Sequence, residues 1–250
     1  MKIQDKVALI VGGGQGLGEA TARYLAELGA KIIVLDKSQT HAERVAKATH
    51  GLGFVCDITQ AQNLERVFSQ IKPHALSIVV NCAGIAPAKR MVGKEGPAPL
   101  SAFEEVIQVN LTGTYNVMRL SAALMLSQQC DENEERGVII NTASVAAFDG
   151  QIGQTAYSAS KGGIVSLTLP AARELARFNI RVMTIAPGIM DTGMMQNMPE
   201  EVRASLLKQT VYPKRFGAPD EYAALVAHII ANSMLNGEVI RLDGALRMNA

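Results

Sequence analysis

Seven short runs of β-branched and aliphatic residues recur along this chain, with helix-period patterns between them, and few architectures accommodate that order. The runs are Val7–Val11, Lys31–Asp36, Gly53–Asp57, Leu76–Asn81, Gly137–Thr142, Ile180–Ala186 and Glu238–Leu242. Each is nearly continuous in apolar character instead of alternating, as in strands covered on both faces. Leu17, Ala20, Thr21, Tyr24, Leu25 and Leu28 follow helical spacing, and Gly29 stands as a stop signal. Gln60–Ile71, Leu100–Cys130, Thr155–Phe178 and Asp220–Ala231 carry further helical patterns, and Pro170 should kink the Thr155–Phe178 helix. This alternation predicts an α/β fold: a doubly wound, seven-stranded parallel sheet with right-handed crossovers and helices on both faces. No linker or repeat divides the 250 residues, so 1–250 is expected to be a single domain. Ala86–Pro99 and Met190–Gly217 fall outside the pattern and are expected to be loops over the sheet's carboxyl edge.

Composition removes several classes of function. Hydrophobic residues make up 48% of the chain and charged residues 19%, enough apolar material for a sizeable core. With 24 basic and 23 acidic side chains the net charge is +1, which gives no case for nucleic acid or a membrane surface. No apolar stretch approaches the roughly 20 residues of a membrane span. The start, MKIQDKVALIV, enters a strand pattern with no secretory leader. Cys56, Cys82 and Cys130 are widely spaced without CxxC pairing, and the four histidines lack ligand spacing. They imply buried thiols in a reducing compartment, no metal, and a cytoplasmic location.

The run IVGGGQGLG places Gly12, Gly16 and Gly18 directly after the first strand and at the start of the first helix. Glycines suit a tight turn whose backbone approaches a pyrophosphate, and the helix N-terminus offers free N–H groups and partial positive charge. Asp36 ends the second strand 18 residues beyond Gly18, where a carboxylate accepts hydrogen bonds from a ribose diol and repels a 2′-phosphate. NAD is therefore expected over NADP, with Lys37 as a minor counter-argument. Asp57 ends the third strand and Asn81-Cys82-Ala83-Gly84 ends the fourth, both on the ligand-binding edge of such sheets. Asp57 reads equally well as a helix cap beside Thr59 or as an adenine contact.

The chemistry lies in three side chains. Tyr157 and Lys161 stand four residues apart in YSASK, which puts them on one face of a helix, and Ser144 lies 13 positions before Tyr157 in INTAS. An ammonium beside a phenol favours the phenolate, so the expectation is a tyrosine acidified from about 10 toward neutrality. Such a phenolate takes a proton from an alcohol while a serine hydroxyl holds the same oxygen.

Together with Asn110 in VNLTG, these motifs resemble the short-chain dehydrogenase/reductase family across essentially the whole chain. INTASVAAFDGQIGQTAYSASKGGIV, IRVMTIAPG and LNGEVIRLDGALRM are most similar to its 3-hydroxyacyl-CoA dehydrogenase (type 2) branch. The resemblance implies a Rossmann fold and an NAD-dependent oxidation of a secondary alcohol to a ketone, most simply (S)-3-hydroxyacyl-CoA to 3-oxoacyl-CoA in fatty acid metabolism. It implies Tyr157 as general base and Lys161 as the residue that lowers its pKa and binds the nicotinamide ribose. Ser144 would position the substrate oxygen, and Gln154 would touch the substrate. Asn110 would sit in the fifth helix and hold a water linking Lys161 to solvent. Gln15, Leu17, Ile58, Pro187, Gly188, Met190 and Thr192 would line the dinucleotide, with Thr192 near the nicotinamide carboxamide. Val11 departs from the family, which commonly has threonine there, and forgoes one hydrogen bond worth about 1 kcal/mol.

A small-molecule acyl-CoA or hydroxysteroid is the implied substrate, and a homotetramer the implied assembly. Met190, Met194, Met195 and Met198 suggest an apolar lid for acyl chains, with core filling as the alternative. Lys89, Arg90 and Lys94 are candidates for meeting CoA phosphates, against the simpler reading as solvated loop cations. Two other readings stand beside this one: an NADP-dependent 3-ketoacyl-carrier-protein or hydroxysteroid reductase, and a non-catalytic dinucleotide-binding scaffold.

Overall fold

The computed structural model describes residues 1–196 and 199–249. The first half alternates strands β1 (Val7–Val11), β2 (Lys31–Asp36), β3 (Leu52–Val55) and β4 (Leu76–Asn81) with helices α1 (Gly16–Glu27), α2 (Gln39–Ala48) and α3 (Ala61–Ile71). A small antiparallel ribbon follows, β5 (Val92–Gly93) with β6 (Gly96–Pro97), then α4 (Leu100–Ile107), a π-helical turn (Gln108–Gly113) and α5 (Thr114–Leu126). The remainder holds β7 (Gly137–Thr142), α6 (Thr155–Ala176), β8 (Ile180–Pro187), α7 (Gly193–Gln196), α8 (Glu200–Gln209), α9 (Pro219–Ala231) and β9 (Val239–Leu242).

The seven long strands form one sheet in the order β3-β2-β1-β4-β7-β8-β9. Every pairing in it is parallel. The predicted seven-stranded parallel sheet is therefore present. The chain winds outward from β1 through β2 to β3, then restarts at β4 on the other side of β1. That reversal opens a crevice beyond the carboxyl ends of β1 and β4, where Val11 pairs with Asn81.

The near-continuous apolar runs have a simple cause. On β1, Ala8 and Ile10 face one core with α1, α2 and α9, including Leu25, Val45, Val226 and Ile229. Val7, Leu9 and Val11 face the opposite core with α3, α5 and α6, including Leu64, Phe68, Val117 and Ala172. Successive residues thus enter different cores, and each fully buried Leu or Ile contributes about 1.5–3 kcal/mol.

Several predicted boundaries differ. Met190–Gly217, expected to be a loop, contains α7 and α8; α8 buries none of its residues, so it shows no apolar stripe in the sequence. Helix α2 was not expected, because its core face is only Ala42, Val45 and Ala46. The Leu100–Cys130 pattern is divided by the π turn and ends at Leu126, and β3 ends before Cys56. Helix α6 runs unbroken through Pro170.

Candidate active site

The crevice is floored by the turn after β1. Gly12 has φ of +68°, and its amide donates to the Leu35 carbonyl at 2.7 Å. A Cβ on Gly12 would lie 2.6 Å from the Ala83 nitrogen, and one on Gly18 would overlap the Gly12 carbonyl oxygen. These two glycines are thus required by packing of the turn on the Asn81–Gly84 segment and of α1 on the turn, more directly than by any ligand. Val11 is buried in the core. Its side chain supplies apolar packing where a threonine would supply a hydroxyl. Leu17 packs partly on the core, and Gln15 is an exposed N-cap with no side-chain cap bond, leaving the first amides of α1 free of side-chain partners.

Asp36 is held rigidly at the far side. Its Oδ2 accepts from the Gly14 amide at 2.9 Å and its Oδ1 from the Ser38 amide at 2.9 Å, with only 7% of the residue exposed. A Cβ on Gly14 would come within 2.7 Å of that carboxylate. The turn, the start of α1 and this oriented carboxylate fit a dinucleotide: amides for the phosphates and an acceptor for a ribose. Gly16 faces Thr192, whose Cγ2 would be 3.5 Å from a Cβ there. Pro187 ends β8 beside Leu242, the Gly188 amide donates to the Leu242 carbonyl at 2.9 Å, and the Thr192 amide donates to the Met190 carbonyl at 2.8 Å.

The other expected rim residues divide. Asp57 is exposed, and its Oδ1 accepts from both the amide (2.9 Å) and hydroxyl (2.7 Å) of Thr59, the capping-type arrangement. Ile58 is buried, directly against Gly113. Asn81 is buried and donates to Asn141 Oδ1 at 2.8 Å. Met190 is buried in the core and touches Gly217, and Met195 is buried too, so these two are not an exposed lid surface. The Met194 side chain and Met198 lie outside the described residues. Lys89, Arg90 and Lys94 are exposed, and the Lys89 amide donates to the Gly153 carbonyl at 2.8 Å, docking the first loop on the lead into α6.

Ser144, Tyr157 and Lys161 meet at the inner end of the crevice. Tyr157 and Lys161 share a face of α6, with Nζ 5.9 Å from the ring centroid. Nζ donates to the Thr142 carbonyl at 2.7 Å and lies beside Gly84. Ser144 Oγ accepts from the Ala146 amide at 3.1 Å, which aims the hydroxyl from the end of β7. Gln154 caps α6, with its Oε1 accepting from the Gln151 amide at 3.0 Å.

The electrostatics correct one expectation. Burial raises the Tyr157 phenol above its ordinary value of 10, only partly countered by a hydrogen bond from Ser144. Lys161 stands with Nζ 5.9 Å from the ring centroid and donating to the Thr142 carbonyl, and burial pulls its own pKa from 10.5 to about 8. In the free protein, Tyr157 is a neutral phenol at pH 7.

Asn110 lies in the π turn and not in a regular helix, and it is fully buried. Its Oδ1 accepts from the Ile85 amide at 2.8 Å, while Nδ2 donates to the Ile85 carbonyl at 2.9 Å and to Ser160 Oγ at 3.0 Å. Its amide therefore staples the segment after Gly84 to α6 and has no donor to spare. Thr142, Ser160 and Ile85 were missed in the sequence. Two of them act through backbone atoms, which leave no residue-type signal; Ser160 stood in view within YSASK.

The sequence pattern of short chain dehydrogenases matches residues 6–203. The 3-hydroxyacyl-CoA dehydrogenase type-2 of Bos taurus is 49% identical over 98% of this chain and 97% of its own length. A 3-oxoacyl-(acyl-carrier-protein) reductase of Thermotoga maritima is 33% identical over 98% of this chain and 99% of its own. The crystal structure of a 3-hydroxyacyl-CoA dehydrogenase type-2 from Mycobacterium avium superposes with a TM-score of 0.93 at 38% identity, covering 99% of this chain and 98% of that one.

Proposed function

The chain belongs to the short chain dehydrogenase family of oxidoreductases, and from that premise we propose that it interconverts a (S)-3-hydroxyacyl-CoA and the 3-oxoacyl-CoA with NAD as coenzyme. The observation that carries this reading is the meeting of Ser144, Tyr157 and Lys161 beside the glycine turn. The turn and Asp36 would hold the dinucleotide, which would supply the hydride chemistry at the carbinol carbon. Tyr157 Oη exchanges the hydroxyl proton, Ser144 Oγ holds the reacting oxygen, and Lys161 supplies positive charge behind them. Asn110 and Thr142 keep Lys161 and the 84–85 segment in register. These roles are assigned to one catalytic domain spanning residues 1–250.

Because Tyr157 is neutral at pH 7, it is poised to donate a proton in ketone reduction. Oxidation needs the phenolate, so its rate should climb as pH rises from about 7 to 9 while reduction stays level or falls. Identical slopes in the two directions would contradict the assignment of Tyr157.

Asp36 supports NAD over NADP, since a fixed buried carboxylate repels a 2′-phosphate. Asp36→Asn should narrow the ratio of kcat/KM with NAD to that with NADP at least about tenfold, a change of about 1.4 kcal/mol. Wild type preferring NADP would defeat the coenzyme reading. A panel of 3-hydroxyacyl-CoA thioesters, a 3-hydroxyacyl-carrier-protein and a hydroxysteroid, each with both coenzymes, tests the substrate. The proposal fails if the thioesters form no NADH.

The same reading includes a cytoplasmic homotetramer in fatty acid metabolism. The exposed apolar residues Leu100, Phe103 and Tyr115 on α4 and α5 support self-association. Among the described residues, no helix is long and apolar enough to cross a membrane.

A further inference from the structure

The segment after β9 touches two separate parts of the chain. On one side it meets the loop that joins Ser144 to Tyr157. Arg241 Nη2 donates to Asp149 Oδ2 at 2.5 Å and Nη1 donates to Asp149 Oδ1 at 3.4 Å, a two-pronged pair. Arg241 Nε donates to Asp243 Oδ2 at 2.7 Å, Nη2 also reaches the Leu246 carbonyl at 3.0 Å, and the guanidinium lies 5.1 Å from the Phe148 ring centroid. Further along, Gln151 Nε2 donates to the Asn249 carbonyl at 3.0 Å. On the other side, the Asn249 amide donates at 3.3 Å to the side chain of Gln209, the last residue of α8. The Tyr212 amide donates to the Gly244 carbonyl at 3.3 Å.

The loop being held has little slack of its own. At Gly150 a Cβ would run into the hydroxyl of Ser158, the residue after Tyr157. The Gln151 amide is tied to Gln154. Movement of Asp149 is thereby passed to the first turn of α6. The Arg241 and Asp149 side chains are 21% and 17% exposed, so solvent screens their charge-assisted bonds less than a surface pair's.

We propose that Arg241 is a positioning residue: through Asp149 it sets where Ser144 and Tyr157 stand, and through segment 243–249 it couples their loop to α8. It touches none of the reacting atoms. The proposal rests on the reading of Tyr157 and Ser144 as the proton-handling pair. A displacement of about 1 Å in such a pair costs on the order of a hundredfold in rate.

The test uses Arg241→Gln, Arg241→Lys and Asp149→Asn in the full chain. Amide hydrogen exchange is followed across 145–156, alongside kcat, dinucleotide Kd and Tm. Arg241→Gln should speed exchange of 148–154 about tenfold or more, with β1 and β8 unchanged. The same variant should lower kcat by about 10- to 100-fold with dinucleotide Kd within about twofold of wild type. Arg241→Lys, which keeps the charge but loses the fork, should recover part of both. Asp149→Asn carries the test if Arg241→Gln does not accumulate. Unchanged exchange, exchange raised uniformly through the sheet, or retained kcat would overturn the proposal. If wild type turns over no 3-hydroxyacyl-CoA, the substrate reading falls, while the exchange measurement still decides the role of Arg241.

Discussion

Tyr157→Phe is expected to lower kcat about a thousandfold in both directions while leaving dinucleotide Kd within about threefold. The substitution removes one oxygen and keeps the ring, so the fold has no reason to change. The glycine turn, Asp36 and Lys161 remain, and with them the groups that would hold a dinucleotide. Only the proton carrier is lost, and the Ser144 hydroxyl cannot replace it, because a serine holds its proton far more tightly than a phenol. A spectrophotometric titration gives an independent check. Wild-type protein without dinucleotide should show one more phenol titrating above the ordinary value of 10 than Tyr157→Phe, in which Tyr222 is still raised by burial. Variant turnover above a few per cent of wild type would show that another group carries the proton.

That expectation separates what the sequence reveals from what it cannot. The i, i+4 spacing of Tyr157 and Lys161 is a property of one helix, and local geometry delivers it. The charge state is not local. It depends on how deeply α6 sinks against β8 and on the Thr142 carbonyl, 19 residues away, which claims Nζ. The sheet is legible for the opposite reason, since seven runs with two covered faces need no knowledge of partners. Helices α2 and α8 escape notice because the first buries only small side chains and the second none, leaving no apolar stripe to read. Asn110 is conspicuous in VNLTG, yet its amide is committed to Ile85 and Ser160 by a π turn that periodicity does not betray. Arg241 and Asp149 are 92 positions apart, joined only after β9 takes its place at the sheet edge.

Lys161→Met should abolish most turnover and at the same time stabilise the free protein. Lys161 is only 4% exposed, its one hydrogen bond among the described residues is to a neutral carbonyl, and burial pulls its pKa from 10.5 to about 8. At about 1.4 kcal/mol per pH unit, holding that charge inside costs at most about 3 kcal/mol below pH 8. Methionine fills a similar volume without the charge but leaves the Thr142 carbonyl unpaired, which returns about 1 kcal/mol or more of the gain. The net expectation at pH 7 is a rise in unfolding free energy of about 1–2 kcal/mol, read from urea midpoints at constant slope. The sign with pH follows from the protons bound. Between about 8 and 10.5 the unfolded chain keeps the lysine proton that the folded chain has released, so wild type gains stability as pH rises through that window. The advantage of the methionine variant should therefore shrink toward pH 10. Turnover should fall at least about a hundredfold, since the positive charge beside Tyr157 that would stabilise its phenolate is lost. A variant less stable than wild type at pH 7, or one whose advantage grows with pH, would mean that the buried ammonium stabilises the fold and is not a cost carried for the reaction.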